Sequence, residues 1–317
     1  MTTSGTSTFS RNRDQIIGDA LEIVNAFELG ETPDSAAVTQ ASNALNVMVK
    51  HWQGADIHIW TSTEAVLFPQ VDQVRYSIGS ASTDFATESY VSTALTSAAA
   101  LGDGTVVLDS VTSVATTYNI GVQLDDGTLQ WTTINGAPSG YTVTLTAVLT
   151  DSAAAGNLVI VYQTALVRPL RILSARRYNY DSAIDIPMNE MDRIEYQEMP
   201  NKTTSGSVNS FYYDRRGGAN SLAYLYLWPA PSTVNEAIKM TVARPIQDFS
   251  AAANDADFPQ EWLQALTWNL ADQLSLRYAV PRPERAEIKA RAAQYLAEAN
   301  WYERELLSFQ FVPDRGR

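Results

Sequence analysis

The chain has 317 residues, 45% of them hydrophobic and 18% charged, and a net charge of −13. That balance belongs to a globular protein and excludes a disordered one, and the length suits two or three domains. With no cysteine, disulfides and thiolate chemistry are excluded, and two histidines, His51 and His58, are too few for an ordinary zinc site.

The opening MTTSGTSTFSRNR has no apolar core, so no signal peptide is expected there, and residues 1–10 are expected to be a mobile tail. From about Asn12 to Leu29, Ile16, Ile17, Ala20, Leu21, Val24 and Phe27 recur at helical spacing, with Gly30 as the stop. Thr32, Pro33 and Asp34 start a second helix whose face carries Ala37, Ala41, Leu45, Met48 and Trp52, with Gly54 beyond its end. The two predict an N-terminal helical hairpin over 11–60. Residues 61–165 read as a strand entry followed by an acidic β domain. TVVLDSV, TYNIGVQL, TLQWTTI, YTVTLTAVL and NLVIVYQ are its strands, joined by turn residues. Its net charge is −8, and Arg75 is its only basic residue. Such a surface repels phosphate; it either keeps β structure soluble or lets DNA pass without gripping it.

A second β-rich region covers 166–256 and carries equal numbers of acids and bases. In LAYLYLWP both faces are apolar or aromatic, which predicts a central or covered strand, and MDRIEYQEMP reads as a short helix or turn. The stretch DFPQEWLQALTWNLADQLSLRY then places Trp262, Leu266, Leu270, Leu274 and Tyr278 in steps of four, one ridge of a helix. Asp257 is predicted to cap it, with Gln260 completing a capping box. After Pro281 and Pro283 a last helix runs to about Ser308. Ile288, Ala292, Tyr295, Ala299, Tyr302 and Leu306 form a heptad-like seam on it, for a helix of this subunit or of another. This C-terminal hairpin spans 257–308, and 309–317 is a tail. The fold class expected is therefore α+β: a helical bundle built from N- and C-terminal hairpins, with a long inserted β-rich region of sandwich or barrel modules.

Catalytic motifs are lacking. There is no Gly-rich phosphate loop and no GxSxG elbow. Asp125 and Asp126, before Gly127, could serve a cation or acid/base work, but Asp-Gly between strands is an ordinary hairpin turn. His58 near Asp56 leaves a serine triad open on residue types alone. Arg168, Arg171, Arg176, Arg177, Tyr178 and Tyr180, and Phe211, Tyr212, Tyr213, Arg215 and Arg216, mix cations with rings. Nucleic-acid faces look like that, and so do faces carrying Arg–carboxylate pairs. No run approaches the roughly 18 apolar residues of a membrane-spanning helix, so no membrane partner is expected.

The opening DQIIGDALEIVNAFELGETPDSAAVTQASNALNVMVKHWQGADIHIW resembles the first segment of phage head-to-tail adaptors of the tail tubular and tail accessory factor type in short-tailed phages. RPLRILSARR, YLYLWPAP, VARPIQDF and DFPQEWLQALTWNLADQLSLRYAVP resemble the rest of that family, so the likeness covers most of 12–80 and 166–310. The acidic stretch at about 81–165 departs from it. The resemblance implies a virion protein without enzymatic activity or cofactor. It implies a homo-oligomeric ring, usually a dodecamer, beneath the portal protein ring and above a tail nozzle or tube protein, with double-stranded genomic DNA passing through. Carried over by position, Phe309, Phe311, Val312, Arg315 and Arg317 would be the portal-binding tail. Ile288, Tyr295, Tyr302, Trp262 and Trp268 are the candidates for subunit contacts. The alternative is a tail component that binds a host surface glycan through the β module, with Trp131 and neighbouring tyrosines exposed in a groove.

Overall fold

The computed structural model describes residues 5, 9–27, 31–55, 59–215 and 222–302. Its helices are α1 (Arg13–Ile23), α2 (Ser35–Ala55), α3 (Arg193–Glu198), α4 (Leu263–Ser275) and α5 (Arg282–Tyr302). The strands of the first half are β1 (Ser62–Leu67), β2 (Arg75–Ile78), β3 (Ala86–Thr87), β4 (Val91–Ala94), β5 (Thr105–Val107), β6 (Asn119–Gln123), β7 (Leu129–Thr133), β8 (Thr142–Thr144) and β9 (Leu158–Tyr162). Those of the second are β10 (Arg171–Asn179), β11 (Ile184–Pro187), β12 (Asn189–Glu190), β13 (Ser205–Gly206), β14 (Ser210–Asp214), β15 (Ala223–Trp228), β16 (Ala230–Pro231) and β17 (Glu236–Ala243).

The expected fold class is corrected here. Among the described residues the chain is mostly β-sheet, seventeen strands in five sheets against five α-helices, and it is not a helical bundle built from N- and C-terminal hairpins. The chain divides into one unit of Met1–Thr61 with Ile246–Arg317 and a larger one of Ser62–Pro245. Within the smaller unit the helices do not pair off as two hairpins. α1 lies chiefly against α4 rather than α2, and α4 also receives α2 and α5. An apolar stripe shows that a helix is covered, not by which neighbour.

Of the predicted ridge, Leu266, Leu270 and Leu274 lie on α4 and Trp262 in the turn before it, all at most 1% exposed, while Tyr278 falls beyond the helix end and is only half-buried. The start of the helix differs from expectation. A 3₁₀ turn at Gln260–Trp262 precedes α4, and the Asp257 carboxylate accepts from the Gln247 N–H at 2.9 Å instead of capping the helix. α1 does have a capping box, with Asn12 and Gln15 exchanging hydrogen bonds. It ends at Ile23, short of the predicted Leu29, because Asn25 turns into the left-handed region at φ 53°. α2 runs through Gly54 to Ala55 and pins an extended segment by its side chains. Asn46 bonds both the N–H and the carbonyl of Phe249, Lys50 donates to the Ile246 carbonyl, and Gln53 accepts from the Ile246 N–H.

In the larger unit, a five-stranded sheet ordered β11-β10-β17-β1-β3 faces a four-stranded sheet ordered β12-β14-β15-β2. The core between them comes from both, including Leu67, Tyr76, Phe211, Leu225, Leu227, Ile238 and Met240. β15 is central, as its composition predicts. Ala223, Leu225 and Leu227 point into the core, and Tyr226 on the outer side is covered by Tyr196 of α3, 4.9 Å away. α3 itself carries a capping box from Asp192 and Glu195.

The acidic module, β4 to β9, is inserted between β3 and β10 and has its own core. It is built on an internal repeat. Leu95, Ala99 and Gly102 recur at the same spacing as Leu149, Ala153 and Gly156. Ala99 and Ala153 exchange two 2.9 Å backbone bonds; Gly102 N donates to Leu149 O, and Gly156 N to Leu95 O. Both glycines sit at positive φ, 87° and 90°, where a side chain would be strained. The two halves are thus related by an approximate two-fold through the alanine pair.

Candidate functional site

The acidic pair at the β6–β7 hairpin is turn chemistry. Asp126 accepts from both the N–H and the hydroxyl of Thr128, and Gly127 takes φ 84°. The Asp125 carboxylate accepts from the Ser152 hydroxyl, the Ala154 N–H and the Asn157 amide. These bonds, Ser152's first, hold its pKa below the ordinary carboxylate value. A depressed folded pKa stabilises above the unfolded value of about 3.9 and loses that stabilisation as pH falls through the folded value. Asp125→Asn should therefore lower the thermal midpoint at neutral pH, and the gap to the parent should close on acidification below about pH 4. A gap independent of pH would remove the carboxylate from the account.

Among the described residues, no three His, Cys, Asp or Glu side chains are grouped as metal ligands would be. His51 is exposed on α2, and the pair of His58 and Asp56 lies outside the described residues. Part of the cation–aromatic clusters is drawn into ion pairs and sheet packing, while Arg171 and Arg215 are exposed and Arg216 lies outside the described residues. Arg176 bonds Glu64 at 2.5 Å and lies 3.6 Å from Asp185, Lys239 stands over the Tyr178 ring, and Arg177 faces Glu236. Phe211 is buried, and Tyr213, also buried, donates to the Pro169 carbonyl. Burial raises the Tyr213 phenol above its ordinary range.

Trp131 is not presented in an open groove. Its ring stacks on Phe85 at 4.1 Å and meets Phe68 and Tyr162, in a core shared by the module and the sandwich. A Cβ on Gly121, its partner across the β6–β7 ladder, would come within 3.0 Å of that ring. The signature named for glycan binding is therefore spent on packing. Burial pushes the Tyr162 phenol up to about 12, which marks the same interior.

Surface available to a partner is clearest in the helical unit. α1 and the start of α4 flank a cleft of about 620 Å³. Leu263, Ile23 and Trp268 give it apolar walls, Phe9 stands exposed at one side, and Asp19 and Glu22 stand at the α1 side. Arg11 is ion-paired with Asp19. Glu261, Gln264, Tyr295 and Tyr302 line a smaller groove, of about 390 Å³, between α4 and α5.

The five subunit-contact candidates separate in this setting. Trp262 and Ile288 are 1% and 6% exposed and belong to the chain's own core. Ala292 and Ala299 of the seam are buried with them, against α4. Trp268 is half-buried in the cleft, 5.9 Å from the Tyr295 ring and under the Arg291 guanidinium. Tyr302 remains 66% exposed. Sequence reasoning missed Trp301, which is 72% exposed. The available signal was its register two residues beyond Ala299, off the seam. Leu306 and the tail residues Phe309, Phe311, Val312, Arg315 and Arg317 lie outside the described residues.

No helix among the described residues is long and apolar enough to cross a membrane. No protein-family model matches the chain, and no curated protein matches it. Among solved structures, VP17, a capsid protein of bacteriophage P23-77, aligns with 62% of this chain and 79% of its own, at 14% identity and a TM-score of 0.12. A score that low does not amount to a shared fold and carries no argument.

Proposed function

We propose that this chain is a structural virion protein of a phage, a head-to-tail adaptor that forms a ring beneath the portal and joins the capsid to the tail. The observation that carries the reading is the ordered resemblance of residues 12–80 and 166–310 to that family. The folding of Met1–Thr61 with Ile246–Arg317 into one unit is compatible with it, since the two resembling ends then make one body. A heterologous ring needs two different surfaces per subunit, and the cleft and the outer face of α5 are two such surfaces. In this reading the partners are the portal ring, a tail nozzle or tube protein, and further copies of the chain, a dodecamer by family analogy. The chain catalyses nothing and holds no cofactor. Its net charge of −13 suits a conduit that DNA must cross without being held.

Quantitative mass spectrometry of purified virions tests this, with a matching count of particles made without the protein. Virions should carry many equal copies, and particles lacking the chain should hold filled heads with no tail attached. Tailed, infective particles without it would overturn the reading. Removal of 309–317 should weaken binding to the portal ring by about 100-fold or more, the scale of losing two aromatic anchors. Unchanged binding would take the tail out of the interface.

A further inference from the structure

We infer that Asn135–Gly136, the only Asn-Gly pair in the chain, is a site of spontaneous deamidation in the folded protein. The fold leaves this pair open to the chemistry and withholds it from the two Asp-Gly pairs of the same module, Asp103–Gly104 and Asp126–Gly127. Asn135 and Gly136 lie in the turn between β7 and β8, and both are exposed.

In the reaction the Gly136 nitrogen gives its proton to solvent and attacks the Asn135 side-chain carbonyl carbon. A new C–N bond closes a five-membered imide, the side-chain amide bond breaks, and its nitrogen leaves as ammonia. Water then opens the ring at either carbonyl, giving aspartate or isoaspartate, so an amide and a water become a carboxyl group and ammonia. The chemistry needs a free side-chain amide, a backbone nitrogen that nothing shields, and room for the ring. Among the described residues the Asn135 side chain has no hydrogen-bond partner. A Cβ on Gly136 would meet nothing within 4 Å, so the space around the nitrogen is open. One restraint remains. The Gly136 N–H donates to the hydroxyl of exposed Thr116 at 3.1 Å, and that bond must break before the proton can leave. Thr116 is therefore a brake on the reaction and not a bar to it.

The two Asp-Gly pairs have the same small follower and are held differently. The Asp103 carboxylate accepts from the Ala100 N–H at 2.7 Å. That of Asp126 accepts from the Thr128 N–H and hydroxyl at 2.8 and 2.6 Å, and the Gly127 N–H is given to the Leu124 carbonyl at 3.1 Å. Each aspartate would have to give up charge-assisted hydrogen bonds to turn its carbon toward the next nitrogen. An ionised carboxylate is also the poorer electrophile. The bonds that make these aspartates good turn residues thus keep them inert. Change at Asn135 has a consequence for the module, since it adds a negative charge to a stretch without Lys or Arg from Tyr76 to Val167. Isoaspartate also lengthens the main chain between the Asn135 N–H, bonded to the Thr144 carbonyl at 2.8 Å, and the Gly136 N–H.

The test follows the full chain during prolonged incubation in mildly alkaline buffer, once folded and once unfolded in urea. Peptide mapping by mass spectrometry locates the change, and a methyltransferase specific for isoaspartate labels that product. In the folded chain, deamidation is expected to accumulate at Asn135 as both aspartate and isoaspartate, with Asp103 and Asp126 unlabelled over the same period. The unfolded chain should be labelled at all three pairs. Thr116→Val, at an exposed position, should raise the folded-state rate at Asn135 by about 2- to 10-fold, the scale of one lost hydrogen bond, with an unchanged melting curve. Asn135→Gln should abolish the label in the folded chain. Labelling of Asp103 or Asp126 as fast as Asn135 in the folded chain would overturn the selectivity. An Asn135 that stays intact when folded and reacts only when unfolded would overturn the site itself. An equal rate with and without the Thr116 hydroxyl would remove the brake.

Discussion

Trp262→Ala is expected to cost the helical unit about 3–5 kcal/mol, the range for deleting a fully buried large aromatic. The side chain is 1% exposed and stands where the 3₁₀ turn passes into α4. Its ring lies 5.8 Å from both Trp52 and Phe258, and Ala265 and Ala299 complete the cluster. One residue thus joins α2, α4 and α5. The surrounding rings are large and fixed, so the site can collapse only partly and a cavity term adds to the lost transfer energy. Chemical denaturation followed by the helical signal measures the loss. A change below about 1 kcal/mol would mean that the cluster does not hold these helices together.

Arg177→Ala is expected to cost about 3–5 kcal/mol at neutral pH, because it leaves a buried carboxylate without its counter-ion. Arg177 on β10 and Glu236 on β17 stand 3.4 Å apart, and their side chains are 13% and 7% exposed. Burial is the largest influence on Glu236 and raises its pKa; Arg177 and Asn179 pull it back only in part. The two observations are compatible, since an ion pair can be formed and still fail to repay desolvation. With the folded pKa above the unfolded value of about 4.3, the group's contribution is complete below that value and is lost as pH rises through the folded one. The penalty of Arg177→Ala should therefore grow from acid toward neutral pH. Adding Glu236→Gln should recover most of it and flatten the pH profile. A penalty that is the same at pH 4 and pH 7 would show that lost packing, not stranded charge, is responsible.

Much of the local structure was legible because burial on one face leaves a period in the sequence. The steps of four from Leu266 to Leu274 on α4 and the alternation of β15 are of that kind, while Trp262 and Tyr278, the ends of the predicted ridge, fall outside the helix. Partners were less legible. Asp257 looks like a helix cap because nothing in its neighbours reveals that its carboxylate serves the Gln247 N–H. Trp262 and Ile288 looked like subunit contacts because spacing identifies a covered face without naming the cover. The fold class failed for the same reason at a larger scale. The helical ends have the stronger periodicity, while the two facing sheets are assembled from distant strands. β1 pairs with β17, and β2 with β15, relations that no local pattern carries. The repeat around Ala99 and Ala153 was readable in principle and lay hidden among the Ser, Thr and Ala of its turns. Of the candidate surface, Tyr302 and Trp268 could be found from the sequence; Trp301 needed the burial of Ala299 to show where it points.

The most direct test of the connector reading is the native mass of the full chain mixed with the portal ring of its own virus. A discrete complex holding many copies per portal ring, with its count fixed as the protein is added in excess, is the result expected. A portal ring that keeps its own mass beside unbound chain, at concentrations well above micromolar, would contradict it.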